Sequence, residues 1–218
     1  MSGRIGITLG DVSGVAPEVT LKALAAVTSE DETRYLIIGD EGEVQRVNDR
    51  LKLDLTFERL AEAQSGERLC ITSSFNESIP EKLPTGSPLA ARAAVAWLAD
   101  AAQRCLRREL DAVVTAPVNK EAIVRSGHTF VGQTEFLSQQ AGAQRTAMML
   151  LGHDERERWL RVALVTTHVS LKQVPAHVTP AKISLAIELA AQACADLGLP
   201  RARIAVCGLR LLDSRLQQ

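Results

Sequence analysis

The side chains with chemical potential gather in one stretch, Asp111 to Glu135, which carries Thr115, Asn119, Lys120, Gln133 and Thr134. A short apolar run, Ala112 to Ala116, is expected to form a fully buried parallel strand stopped by Pro117. Asn119 can cap a short helix with Glu121 in its first turn and Gly127 at its close. A second helix begins near Thr134. A strand end that brings hydroxyls, a lysine, an amide and a helix N-terminus together suits an anionic ligand. The same residues also satisfy a plain βα loop with ordinary caps.

Two further strand ends carry reactive groups. Gly10-Asp11-Val12-Ser13-Gly14 follows the first strand and precedes a helix opened by Pro17. Asp11 suits a metal or a substrate hydroxyl, but Asp-x-Ser-Gly is also good turn chemistry. Neither phosphate-loop fingerprint, G-x-G-x-x-G nor G-x-x-x-x-G-K-[ST], occurs in the chain, and Ser13 lies outside a G-x-S-x-G elbow. Thr166-Thr167-His168 is polar directly after an apolar run, so its tip projects hydroxyls and an imidazole. A histidine there serves as metal ligand, catalytic group or structural partner. His177 follows in a loop between Pro175 and Pro180, at a spacing that does not support a two-histidine zinc motif.

The positioning elements alternate strand and helix. Strands are expected at Arg4–Leu9, Tyr35–Gly39, near Leu55–Phe57, Leu69–Thr72, Thr146–Leu151, Trp159–Thr166 and Arg203–Gly208. Helices are expected from Pro17 to Val27, from Glu41 to Leu51, from Pro88 to about Arg108 and from Pro180 to Leu197. Ser87 is the expected cap of the third, and Trp97 its core anchor. Hydrophobic residues make up 46% of the 218 and aromatics 3%, so the core rests on Ala, Val, Leu and Ile, as in helices packed on a parallel sheet. A net charge of -1 gives no footprint for nucleic acid or for a polybasic membrane contact. No apolar run approaches a membrane span. The early strand leaves no expected room for a signal peptide, and the four dispersed cysteines are expected as free buried thiols in a reducing cytoplasm.

Four stretches, in order, resemble the 4-hydroxythreonine-4-phosphate dehydrogenases of vitamin B6 biosynthesis and their close relatives. Thr8-Leu9-Gly10-Asp11-Val12-Ser13-Gly14-Val15-Ala16-Pro17-Glu18 is similar to the family's T-P-G-D-P-A-G-I-G-P-E. Thr115 to Lys120 is similar to T-A-P-I-N-K, Gly132 to Glu135 to G-H-T-E, and Arg161 to His168 to the strand ending in T-T-H. The resemblance covers residues 4–208. It implies an α/β fold of the isocitrate/isopropylmalate dehydrogenase type, a three-layer sandwich, and a cytoplasmic homodimer with active sites at the subunit interface. It also implies NAD-dependent oxidation, with decarboxylation, of a phosphorylated 3-hydroxy acid such as 4-phosphohydroxy-L-threonine, assisted by a divalent cation (Zn, Mg, Mn or Co). His168 takes the position of the family's first metal-binding histidine, and Thr134 that of a phosphate contact. Gln133 replaces a neighbouring substrate-binding histidine. Asn119 falls at a substrate-binding position of the cleft, and Lys120 and Asp11 at its catalytic positions.

Leu9, Val12, Ser13, Ala16 and Gln133 depart from the family pattern, which suggests a paralogue acting on 4-phospho-D-threonate or -erythronate. Residues 1–208 are expected to form the N-terminal and central part of a two-domain dehydrogenase. Residues 209–218 read as an aberrant tail, because Arg210, Leu211 and Leu212 stand where the family continues N-P-H-A-G-E. The expectation is a truncated or frameshifted chain with impaired activity, the alternative being a non-catalytic phosphate-binding or dimerising remnant.

Overall fold

The computed structural model describes residues 3–28, 32–62, 67–199 and 201–208, in two compact units, Met1–Ala143 and Gln144–Gln218. Unit 1 runs β1 (Arg4–Thr8), α1 (Ala16–Val27), β2 (Arg34–Ile38), α2 (Glu41–Leu51), β3 (Glu58–Arg59), β4 (Leu69–Thr72), α3 (Pro88–Leu106), β5 (Ala112–Thr115), α4 (Lys120–Arg125) and α5 (Gln133–Gln140). Its five strands lie in the order β3-β4-β2-β1-β5, and every pairing is parallel. Parallel neighbours need long crossovers, which α1 and α3 provide in the apolar amphipathic form a sheet face requires.

Local chemistry sets the boundaries. Asp40 caps α2, accepting from the Glu43 N–H at 2.7 Å, and Lys52 ends it in the left-handed region. Pro17 and Pro88 sit in the first turns of α1 and α3, where the missing N–H costs nothing. Small residues of α3, among them Ala93 and Ala101, are fully buried and let this helix approach the sheet closely. Trp97 is 0% exposed, meets Phe75 edge-on, and donates its indole N–H to Ser73 Oγ at 3.3 Å. The core expected for it is therefore present. Ile37, Ile38, Leu21 and Leu24 complete the centre.

Unit 2 holds β6 (Met148–His153), β7 (Trp159–Leu164), α6 (Val174–His177) and α7 (Pro180–Asp196). β6 and β7 form a two-stranded antiparallel ribbon, with Met148 opposite Leu164 and His153 opposite Trp159. Thr179 caps α7 by accepting from the Lys182 N–H. The ribbon leaves Leu150, Leu151, Trp159 and Leu160 exposed.

Several expectations change. β5 is not fully buried: it is an edge strand of the described sheet, and Val114 is 52% exposed, because only β1 pairs with it. The short strand expected near Leu55–Phe57 lies instead at Glu58–Arg59. Ser87 sits at the N-cap of α3, yet its side chain makes no capping bond. His177 closes the short helix α6 rather than lying in a loop. Residues 201–208 are not a strand, since a ladder needs a partner and none is described beside them. Cys207 is exposed rather than buried. Burial pushes the thiols of Cys70 and Cys105 up, which keeps them protonated and inert. The expected tail at 209–218 lies outside the described residues. Among those described, no helix is long and apolar enough to cross a membrane.

Replacing Trp97 by Ala removes the largest buried side chain. It is expected to cost about 3–5 kcal/mol of unfolding free energy, measured by urea titration.

Candidate functional site

The order of the strands locates the site of unit 1. From β1 the chain moves outward through β2 to β4, then α3 carries it back to β5 on the other side of β1. The C-terminal ends of β1 and β5 therefore flank the point where the direction of winding reverses, which is where open α/β sheets hold ligands. Beyond the last ladder pair, Thr8 with Thr115, the Ala116 N–H donates to Thr8 O at 3.2 Å and the Asp11 N–H to Pro117 O at 2.9 Å. Gly10 makes this closure possible. Its φ is +71°, and an added Cβ would lie 2.5 Å from Pro117 O.

Above this closure stand the residues singled out by sequence. Asp11 is buried in the turn after β1; its Oδ1 accepts from the Ser13 N–H at 2.9 Å and the Ser13 hydroxyl at 2.7 Å. Ser13 Oγ in turn accepts from the Gly86 N–H at 3.1 Å, which draws the loop before α3 over the turn. Asn119 caps α4, its Oδ1 accepting from the Ala122 N–H at 3.0 Å, so its amide N–H groups remain for the cleft. Gln133 donates through Nε2 to Ala116 O at 3.0 Å and so ties the start of α5 to the tip of β5. This bond commits one of its amide hydrogens to structure and leaves the other for a ligand.

The N-terminus of α5 starts at a glycine, with the buried Glu135 carboxylate beside it. Gly132 is its N-cap and supplies no side-chain bond, so the first-turn N–H groups, including that of Thr134, lack a side-chain cap. Thr134 is half-buried in that turn. Lys120 reaches the same place: a Cβ added to Gly132 would lie 3.5 Å from its Nζ and 2.6 Å from Glu135 Oε2. Asp11, Asn119, Lys120, Gln133 and Thr134 thus belong to one unit and border the tips of β1 and β5.

His168 belongs to unit 2. It follows the loop after β7, is exposed, and holds a φ of +57°. A left-handed histidine is uncommon, and such backbone strain concentrates at functional positions. Among the described residues no group of three or more His, Cys, Asp or Glu side chains is poised for a metal ion. Sequence reading missed the place of Gly86, whose N–H donates to Ser13 Oγ and where an added Cβ would lie 3.1 Å from Arg125 Nη2 and 3.4 Å from Asn119 Nδ2. The signals were present in Thr85-Gly86-Ser87-Pro88, a glycine directly before a helix start, and in a basic residue in the last turn of α4.

A parallel sheet wound outward and back makes an open α/β fold, and likeness to solved structures gives it the isocitrate/isopropylmalate dehydrogenase type. Its solved neighbours share that fold. A 4-hydroxythreonine-4-phosphate dehydrogenase from Burkholderia phymatum superposes with a TM-score of 0.79 at 33% identity, over 95% of this chain and 63% of that one. The family model of the pyridoxal phosphate biosynthetic protein PdxA matches residues 31–210, and the chain belongs to this family. Among curated relatives, the D-threonate 4-phosphate dehydrogenase of Cupriavidus necator is 36% identical, with 94% of this chain and 61% of that protein aligned. The 4-hydroxythreonine-4-phosphate dehydrogenase of Synechocystis sp. is 34% identical, with 94% and 59% aligned. The chain spans about three fifths of the length of these curated relatives.

Gly10→Ala is expected to cost more than about 1 kcal/mol of stability, because it combines a strained φ with a clash on Pro117 O. Asn119→Ala is expected to lose about 1 kcal/mol through the missing cap. Thermal melts of both variants against the parent protein check the two values.

Proposed function

We propose that the chain carries the substrate cleft of an NAD-dependent dehydrogenase that oxidises and decarboxylates a phosphorylated 3-hydroxy acid. 4-Phosphohydroxy-L-threonine, 4-phospho-D-threonate and 4-phospho-D-erythronate are the substrates of this class. Family membership carries the reading, and the first turn of α5 beside Lys120, without a side-chain cap from Gly132, supports it. Uncapped N–H groups, the Thr134 hydroxyl and the Lys120 ammonium are complementary to a phosphate dianion. Lys120 also has the proton-carrying group required of a catalytic residue, and Asn119 offers amide hydrogens to substrate oxygens. Gln133, neutral where the family has histidine, donates to substrate without carrying a proton.

NAD supplies hydride acceptance, and a divalent cation (Zn, Mg, Mn or Co) supplies charge stabilisation for the alkoxide and enolate. His168 is the proposed contribution of this chain to the cation. One imidazole does not hold a divalent ion tightly, so further ligands complete the site. A homodimer in the cytoplasm is the proposed assembly. The exposed apolar side chains of the β6–β7 ribbon support it, since an isolated two-stranded ribbon is marginal in water.

The test joins this chain to the remaining two fifths of a curated relative and follows NADH formation with each of the three substrates. Turnover with at least one is expected, and His168→Ala is expected to lower kcat by at least about 1,000-fold while reducing bound metal. A folded fusion without turnover on any of them overturns the dehydrogenase reading. If phosphate binding persists in that fusion, the chain is a phosphate-binding module instead.

A further inference from the structure

A cavity of about 180 Å³ lies away from the β1–β5 cleft, at the C-terminal ends of β2 and β4. The strands β4, β2, β1 and β5 are consecutive neighbours in the sheet. Three strand spacings, about 14 Å, therefore separate the end of β4 from the end of β5. The shortness of β3 creates the space. Leu60 still donates its N–H to Ile71 O at 2.8 Å, but the chain turns there, the Glu62 N–H donating to Arg59 O at 2.9 Å. β4 continues to Thr72. The turn, the end of β4 and the first residue of α2, Glu41, enclose what is left.

The lining has two characters. Ile71, Leu60 and Ala61 form an apolar wall. Glu41 and Arg59 contribute one charge of each sign, and Arg59 Nε donates to Glu41 Oε1 at 3.1 Å and Oε2 at 2.8 Å. A guanidinium has five N–H donors, and among the described residues Arg59 hydrogen-bonds only through Nε. Its other N–H groups are left for a ligand carboxylate. The Glu41 carboxylate has lone pairs left for a ligand ammonium. This lining carries no net charge, unlike a phosphate site, and a simple anion would meet Glu41 as well as Arg59. A zwitterion meets each charge with its opposite. The cavity holds the equivalent of about six waters. That is less than the roughly 300 Å³ at which sites for drug-sized ligands begin, so the ligand is small.

We propose that this cavity binds a free α-amino acid with a small aliphatic side chain. Arg59 takes the carboxylate, Glu41 takes the ammonium, and the side chain lies against Ile71 and Leu60. One ion pair becomes two, so binding leaves neither protein charge without a partner. The site does not rest on the dehydrogenase reading, because it uses other strands and the opposite electrostatic logic.

The experiment titrates the 218-residue protein by calorimetry with L-valine, with 3-methylbutanoate, which lacks the ammonium, and with 2-methylpropylamine, which lacks the carboxylate. Valine is expected to bind at millimolar concentration, at least about tenfold tighter than either analogue. Trp97 emission in a Trp159→Phe background follows the same titration, because Ser73 lines the cavity and accepts the Trp97 indole N–H at 3.3 Å. Arg59→Gln and Glu41→Gln are each expected to weaken valine by at least about tenfold. Both side chains are exposed, so the variants are expected to melt like the parent protein. Ala61→Leu narrows the cavity without removing either charge and is expected to weaken valine as well. Absence of valine binding at millimolar concentration overturns the proposal, as does equal affinity for valine and either analogue. Those two comparisons need no variant to fold. Unchanged valine affinity in Arg59→Gln overturns it too. Turnover by the fusion without valine binding removes this site alone, whereas valine binding without turnover removes the dehydrogenase reading alone.

Discussion

The hydrogen bond from the Asp11 N–H to the Pro117 carbonyl is the constraint on which the site of unit 1 depends. It extends the β1–β5 pairing past the last ladder residues and sets two unrelated loops edge to edge. It forms only because Gly10 leaves no side chain between them. One loop brings the Asp11 carboxylate, the other brings Asn119 and Lys120. A third segment, the turn before α3, is fastened to the first by Ser13. Hydrogen bonds between loops assemble these groups.

The electrostatics of the cleft follow from that assembly. The first turn of α5 lies beside both the Lys120 ammonium and the Glu135 carboxylate, so charge of either sign meets at this corner. Asp11 brings negative charge to the first loop, and Ser13 spends two donors on its Oδ1. Unit 2 is built differently. Its ribbon buries little of its own apolar surface, and His168 holds a strained backbone at its loop.

Much of this was legible in advance. The β1 and β5 runs, the α2 span, the Asn119 cap and the Ser87-Pro88 helix start are local signals, written within a few residues of where they act. The position of Trp97 in the core followed from its place on the small-residue face of α3. The misreadings have a common cause. The burial of β5 depends on what lies beside it, and a run of Ala and Val reads the same at a sheet edge as at its centre. Residues 201–208 have the composition of a strand without a described partner to pair with. Ser87 has the identity of a capping residue, but the observed geometry leaves its hydroxyl out of the cap.

By itself the sequence determined the alternation of elements, the Asn119 cap, and the family, because hydrophobic period, turn chemistry and motif spacing are properties of neighbours along the chain. Tertiary structure alone decided that β5 returns to the far side of β1. It alone decided that Gly86 and Arg125 stand beside Asn119, and that Gln133 braces the tip of β5. Those contacts join residues far apart in the chain, and strand order cannot be read from any single segment. The physical reason is that the pairing of strands is chosen by the whole sheet, while each strand carries only its own preference to be extended.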